Sequence, residues 1–213
     1  MSDKAKGIAV AVAVVLLSVW VYRVYQKHMA RDATLASVRD AGERLRKALS
    51  GSSDAPDFER DAAAVDAHVT ALRKRDVTAI QPLADAADDY LVTAREILRR
   101  EAAMKSAAEG LAKHLDALAQ HIQRDRGRGD WTQLAVRLRA EVDREAREYR
   151  IAAESYAAIV ESLPTSQTRV APYVDPALLL DDESVKAARE RALDALARTE
   201  ENVRRIANLR RAG

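Results

Sequence analysis

Two kinds of apolar pattern run along this chain, and each predicts a different environment. The first is continuous. Residues 7–22, GIAVAVAVVLLSVWVY, carry no charge and lie between Lys6 and Arg23. A helix that is apolar on every side has to be covered by protein or by lipid. The run falls short of the about 20 residues that cross a bilayer core, but Lys6 and Arg23 can snorkel their charges outward, and Trp20, Tyr22 and Tyr25 carry rings that favour the interface. The pattern predicts a short polar tail over 1–6 and a single transmembrane anchor over 7–25. Cleavage as an export signal is disfavoured, because Arg23, Lys27 and His28 follow the run where a signal peptidase needs small residues.

The second pattern is periodic. From Leu83, steps of four and three reach Ala87, Tyr90, Ala94, Ile97, Glu101, Met104, Ala108, Leu111, Leu115, Leu118 and Ile122, with Glu101 the one break. Such alternation keeps one stripe of a helix against a partner helix. A similar series runs Trp131, Ala135, Leu138, Val142, Glu145, Tyr149, Ala152, Tyr156, Ile159 and Leu163. Shorter ones run Leu35, Val38, Gly42, Leu45 and Leu49, and Val185, Ala188, Ala192, Leu196, Thr199, Val203 and Ile206.

Breakers divide these stripes. GSSDAP at 51–56 reads as a loop with Ser53 or Asp54 to cap the next helix, and RDRGRGD at 124–130 reads as a turn with Asp130 as cap. Pro164 is expected to stop the fourth helix and to open a long irregular stretch to 181, with Asp181 or Asp182 capping the last helix. Thr78 and Pro82 suggest a kink or turn at 76–82. One straight helix over 57–124 would be about 100 Å long and would run back into the bilayer, so the chain is expected to reverse or bend there. The expected fold class is all-α: an N-terminal transmembrane helix, then one domain over 26–213 forming an antiparallel bundle with helices near 26–49, 57–75, 79–124, 130–163 and 182–211.

Composition adds exclusions. Thirty-five basic residues nearly balance thirty-three acidic ones, so the overall field selects no partner. The absence of cysteine rules out disulfides, thiolate metal sites and cysteine nucleophiles. No phosphate-binding glycine loop, nucleophile elbow or HExxH is present, and none of the Glu-x-x-His pairs of carboxylate-bridged metal bundles occurs. His114 and His121 share a helix face, and a metal site with His68 is conceivable, but solvent-facing or edge positions are the expectation. Glu101 and Glu145 are expected at the edges of their stripes, paired with Arg99, Arg100 or Arg144. No catalytic, metal or cofactor residue is assigned, and the chain is expected not to be an enzyme.

Three regions remain as candidate contacts. Arg124, Arg126 and Arg128 in the 124–130 turn and Arg204, Arg205, Arg210 and Arg211 near the C-terminus are expected to converge at the end farthest from the membrane, as a basic tip for an anionic partner. Nucleic acid is not expected, because no aromatic stacking platform lies nearby. The third is TRVAPYVDPALLL at 168–180, expected near the membrane-proximal end, where Tyr173, Leu178, Leu179 and Leu180 are too apolar to be left in water. They could cap the bundle or dock on a membrane or partner. The sequence therefore points to a single-pass scaffold or interaction module of the inner (plasma) membrane. Its partners would be the lipid bilayer and either a protein or a second copy held through helix faces. The short N-terminal tail is easily held inside, which favours an extracytoplasmic body. The alternative is a ligand-sensing bundle, as in bacterial receptor input domains, acting through a separate membrane partner.

Overall fold

A computed structural model of the chain describes residues 3–50, 57–123 and 131–212, with side chains from Val14 onward apart from those of Arg210 and Ala212. Among the described residues there are five α-helices and no strand: α1 (Asp3–Ser50), α2 (Phe58–Lys74), α3 (Gln81–Gln123), α4 (Trp131–Val170) and α5 (Asp182–Ala212). The all-α bundle expected from the heptads is what the chain forms.

The bundle has two storeys that meet where α1 ends. In the lower one, α1, α2, the first half of α3, the second half of α4 and the start of α5 enclose a core containing Val38, Leu45, Val65, Leu91, Ile97, Leu98, Tyr156, Leu163 and Ala188. In the upper one, α3, α4 and α5 continue alone around Leu111, Leu115, Leu118, Val142, Tyr149 and Ile206. The burial pattern of α3 records the change. Below Glu101 it buries a second seam at Ala84, Leu91 and Leu98 beside the expected stripe, because helices pack on two of its faces there. Above Glu101 only the single stripe is needed.

Local chemistry sets the reversals. The Asp57 side chain caps α2 by accepting from the Arg60 amide at 3.0 Å, whereas the expected caps Ser53 and Asp54 lie outside the described residues, as does Asp130. The doubtful segment 76–82 is a reversal: α2 ends at Lys74, and Asp76 accepts from the Thr78 amide at 3.1 Å and from its hydroxyl at 2.8 Å. A 3₁₀ turn over Thr78–Ile80 then leads into α3. Ion pairs fasten α2 on both sides. Arg44 of α1 bridges Asp40 and Asp61 at 2.7 and 2.8 Å, and Arg95 of α3 reaches Asp66 at 2.7 Å.

The expected stop at Pro164 does not occur, and α4 runs on to Val170. Proline removes one backbone hydrogen bond and crowds the preceding turn. Beyond it, however, Ser166, Gln167 and Val170 continue the buried stripe, and that burial outweighs the local loss. The irregular segment therefore shrinks to 171–181, with 3₁₀ turns over Ala171–Tyr173 and Pro176–Leu178. Asp181 caps α5, accepting from the Ser184 amide at 2.8 Å.

Among the described residues, no helix is long and apolar enough to cross a membrane. The expected anchor over 7–25 is thus not shown, since its first half falls where side chains are not described. The remainder, Val14 to Tyr25, stands clear of the bundle.

Candidate functional site

The membrane-directed residues lie on the free end of α1. Trp20 is 63% exposed, Tyr22 61% and Tyr25 58%, and Arg23 is exposed beside them. The side chain of Lys6 lies outside the described residues. Along the same stretch the large apolar side chains Val14, Val15, Leu16, Leu17, Val19 and Val21 range only from 46% to 64% exposed. No stripe of this helix turns inward. Bundle packing begins at Ala30, which is buried against Ile80 and Leu83.

At the junction of the storeys sits a buried polar cluster. Glu101 of α3 is 6% exposed, and its carboxylate accepts from Arg191 of α5 at 3.1 Å and from the Tyr156 hydroxyl of α4 at 3.3 Å. The same Arg191 nitrogen donates to the Ala48 carbonyl in the last turns of α1 at 3.0 Å. Four helices are tied at this point. Burial pushes the Glu101 carboxyl above its ordinary value of 4.5, although Arg191 and the Tyr156 hydrogen bond pull the other way. Burial likewise raises Tyr156. The expected edge position and local arginine partner are therefore corrected. Glu101 is inside, and its cation comes from α5, ninety residues on. Glu145 is also buried rather than at an edge, but it does pair with the expected Arg144, at 2.9 Å.

The basic residues fall into separate places. Arg124, Arg126 and Arg128 lie outside the described residues, as does the side chain of Arg210. Arg204 and Arg211 line an open groove between α4 and α5 together with Arg147, Arg150 and the exposed Val203, over an apolar floor of Tyr149 and Ile206. The groove is tempered by Asp143 and Glu200, and Arg204 lies 3.6 Å from Glu200. Arg205 points elsewhere, to Asp116 of α3 at 3.1 Å. The described C-terminal arginines thus do not form one tip.

The segment 168–180 divides too. Leu179 and Leu180 are buried with Val174 in the lower core, Leu178 is half-buried, and Tyr173 is 39% exposed. Arg46 of α1 donates to the Leu179 carbonyl at 2.6 Å, and Gln167 donates to that of Leu180 at 2.8 Å. The segment lies beside Gly42 and Arg46 rather than at the foot of the bundle. The reason is that α4 ends level with Asp89, which Arg169 approaches at 3.3 Å. A contact role for Leu179 and Leu180 gives way to a core role.

The histidines are engaged within the chain. His68 lies 2.8 Å from Asp40, and His114 Nδ1 donates to the Gly110 carbonyl at 2.9 Å. His121 is 3% exposed, stacks on Trp131 and donates to its carbonyl at 2.8 Å, contrary to the expected edge position. Among the described residues, no group of three His, Cys, Asp or Glu side chains could hold a metal ion. Set against known proteins, the chain matches no family model, no curated protein and no solved structure.

Proposed function

We propose that this chain is a membrane-anchored helical scaffold, held in the bilayer by the start of α1 and offering helix faces of its bundle to a protein partner, without catalytic activity of its own. The observation that carries the reading is the free end of α1, whose apolar side chains from Val14 to Val21 face outward on all sides. About 25 cal/mol is gained for each Å² of such surface removed from water, so a covering is strongly favoured. The uncharged run continues back to Gly7 in the sequence, and Trp20, Tyr22 and Tyr25 sit where interfacial rings belong. The body lies outside the cytoplasm in this reading, with the residues before Gly7 inside.

The α4–α5 groove favours a second reading, a ligand-sensing bundle that signals through a separate membrane partner. Its apolar floor and arginine rim suit an anionic amphiphile, and the Arg191 hydrogen bond to Ala48 offers a mechanical link from α5 to α1.

An alkaline carbonate wash tests the anchor. The full chain is expected to stay in the membrane pellet, while a chain lacking 7–22 becomes extractable with its helix content unchanged. Extraction of both would overturn the anchor. Reporter fusions at the C-terminus then place the body, and reporter activity on the cytoplasmic side would reverse the proposed orientation.

A further inference from the structure

Resting on the anchor reading above, we propose that the underside of the bundle, formed by α1 just past its aromatic residues and by the α2–α3 turn, docks on anionic phospholipid headgroups. The fold brings two basic segments together that are far apart in sequence. Ala30 packs against Ile80 and Leu83, so the turn after α2 sits level with residue 30 of α1. Arg23, Lys27 and Arg31 lie on α1 below or beside that contact, and Lys74 and Arg75 close α2 just before the turn. Arg23, Lys27, Arg31 and Lys74 are exposed and Arg75 half-buried. None of the five makes an ion pair among the described residues. Arg73, one residue earlier, is different, since Asp88 holds it through two contacts of 2.8 Å.

Opposing charge at this end is outnumbered. Asp76 keeps its charge while accepting two hydrogen bonds from Thr78, Asp32 is exposed on α1, and Asp85, exposed one turn into α3, accepts from Gln81 at 2.6 Å. His28 is exposed among them. The chain as a whole carries a formal charge of only +2, so five cations beside three carboxylates put an excess of the same size at this one end. From Arg23 to Ala30 is about 10 Å along the helix. With Arg23 at the headgroup boundary, the turn packed on Ala30 lies roughly one Debye length from the lipid phosphates, with Lys74 and Arg75 just behind it. Basic clusters next to a membrane helix are attracted to acidic headgroups in whichever leaflet carries them, so the contact does not depend on the side the body occupies.

The contact is electrostatic rather than insertive. The tip exposes Asp76, Thr78, Ala79, Gln81 and Pro82, while Val77 is half-buried and Ile80 packs inward. The turn leaves no large apolar side chain to enter the bilayer, and on the adjoining stretch of α1 past Tyr25, Met29 alone among the described residues is large, apolar and exposed. The attraction therefore weakens with salt, and it draws the bundle down against the membrane.

The absence of cysteine permits a single label. The full chain bearing Ala79→Cys with a nitroxide is reconstituted into vesicles of phosphatidylcholine, alone or mixed with phosphatidylglycerol. Collision of the label with a neutral, water-soluble nickel chelate is then measured. Phosphatidylglycerol is expected to lower the collision rate about twofold. About 0.5 M salt should restore it, as should Lys74→Gln with Arg75→Gln, at an unchanged melting temperature. Equal collision rates in the two lipids, or a double variant that behaves like the parent, would overturn the proposal while the protein still floats with the vesicles. Protein that fails to float with them defeats the anchor reading, and this proposal with it. Protection that needs an added protein rather than the acidic lipid would also overturn it.

Discussion

Arg191 and Glu101 meet at 3.1 Å and together join the end of α1, through the Ala48 carbonyl, to the middle of α3 and α4 and the first turns of α5. Glu101 is nearly enclosed, whereas the Arg191 side chain keeps 32% of its exposure. The pair is therefore half-solvated. Removing one partner from a fully buried pair costs about 3–5 kcal/mol. Arg191→Met is expected to cost less, about 2–3 kcal/mol once solvent screening is allowed for. Tyr156→Phe should cost about 1 kcal/mol, since it leaves the arginine in place. Urea unfolding of the two variants checks the order, and a larger loss from Tyr156→Phe would mean that Arg191 does not hold the junction.

The same carboxylate gives a pH dependence with a definite sign. Burial raises Glu101 in the folded chain above its ordinary value of 4.5, so the folded state holds more protons than the unfolded one between those two values. Stability from this group is complete below about 4.5, declines as pH rises through the raised value, and is flat above it. Glu101→Gln abolishes that decline. Measured from about pH 4 to about pH 8, the variant should gain on the parent as pH rises. Parallel stability curves would show that Glu101 titrates alike in both states.

Gly42 is required by a close approach of backbone to helix. A Cβ at this position would come within 2.4 Å of the Leu178 carbonyl oxygen and 3.3 Å of the Tyr90 hydroxyl. Alanine ordinarily gains about 1 kcal/mol over glycine inside a helix. Here it must push the 176–180 backbone away, and Gly42→Ala is expected to lose about 1–3 kcal/mol. Gly110 is the control, because the atom in its way, at 2.6 Å, is the end of the Glu145 side chain, which can rotate. Gly110→Ala should be neutral or stabilising in thermal melts. Equal losses at both would mean that helix backbone, not the approach of Leu178, sets the cost.

Much of this architecture was legible because heptads are a local signal. The α3 stripe from Leu83 to Leu118 is buried as its spacing implies, with Met104, Ala108 and Ile122 only partly covered. What the spacing could not reveal is which helix each stripe meets. Leu91 and Leu98 form a second seam of α3 that matters only because α1 and α2 share the lower storey. Glu101 reads as an edge residue until α5 supplies Arg191 from far along the chain. Pro164 is a local stop signal that non-local burial of Val170 overrides. The candidate contacts were least legible, because whether Arg204 and Arg205 share a face depends on how α5 is rotated against α3 and α4.

Leu115 and Arg147 test the upper storey. Leu115 is 1% exposed in the α3–α4–α5 core, and Leu115→Ala is expected to cost about 2–5 kcal/mol. Arg147 lies on the rim of the α4–α5 groove, and its replacement by alanine should stay within about 0.5 kcal/mol. Similar chemical-denaturation midpoints for the two variants would mean that the upper stripes are not packed together.

The 171–181 segment separates core from surface within a few residues. Leu179 and Leu180 are 7% and 6% exposed and share the lower core with Val38, Tyr90 and Leu163, while Tyr173 projects with 39% of its surface in water. Their backbone is held from two sides by Arg46 and Gln167, so the side chains cannot relax outward to fill a void left by truncation. Leu179→Ala and Leu180→Ala should each cost about 2–4 kcal/mol, the cost of an uncollapsed core cavity. Tyr173→Ala should cost well under about 1 kcal/mol. Thermal melts of protein lacking residues 1–22 read stability alone, free of any effect from lipid. A leucine pair that could be truncated without loss there would return the segment to the surface and leave the lower storey closed by α1 and α2 only.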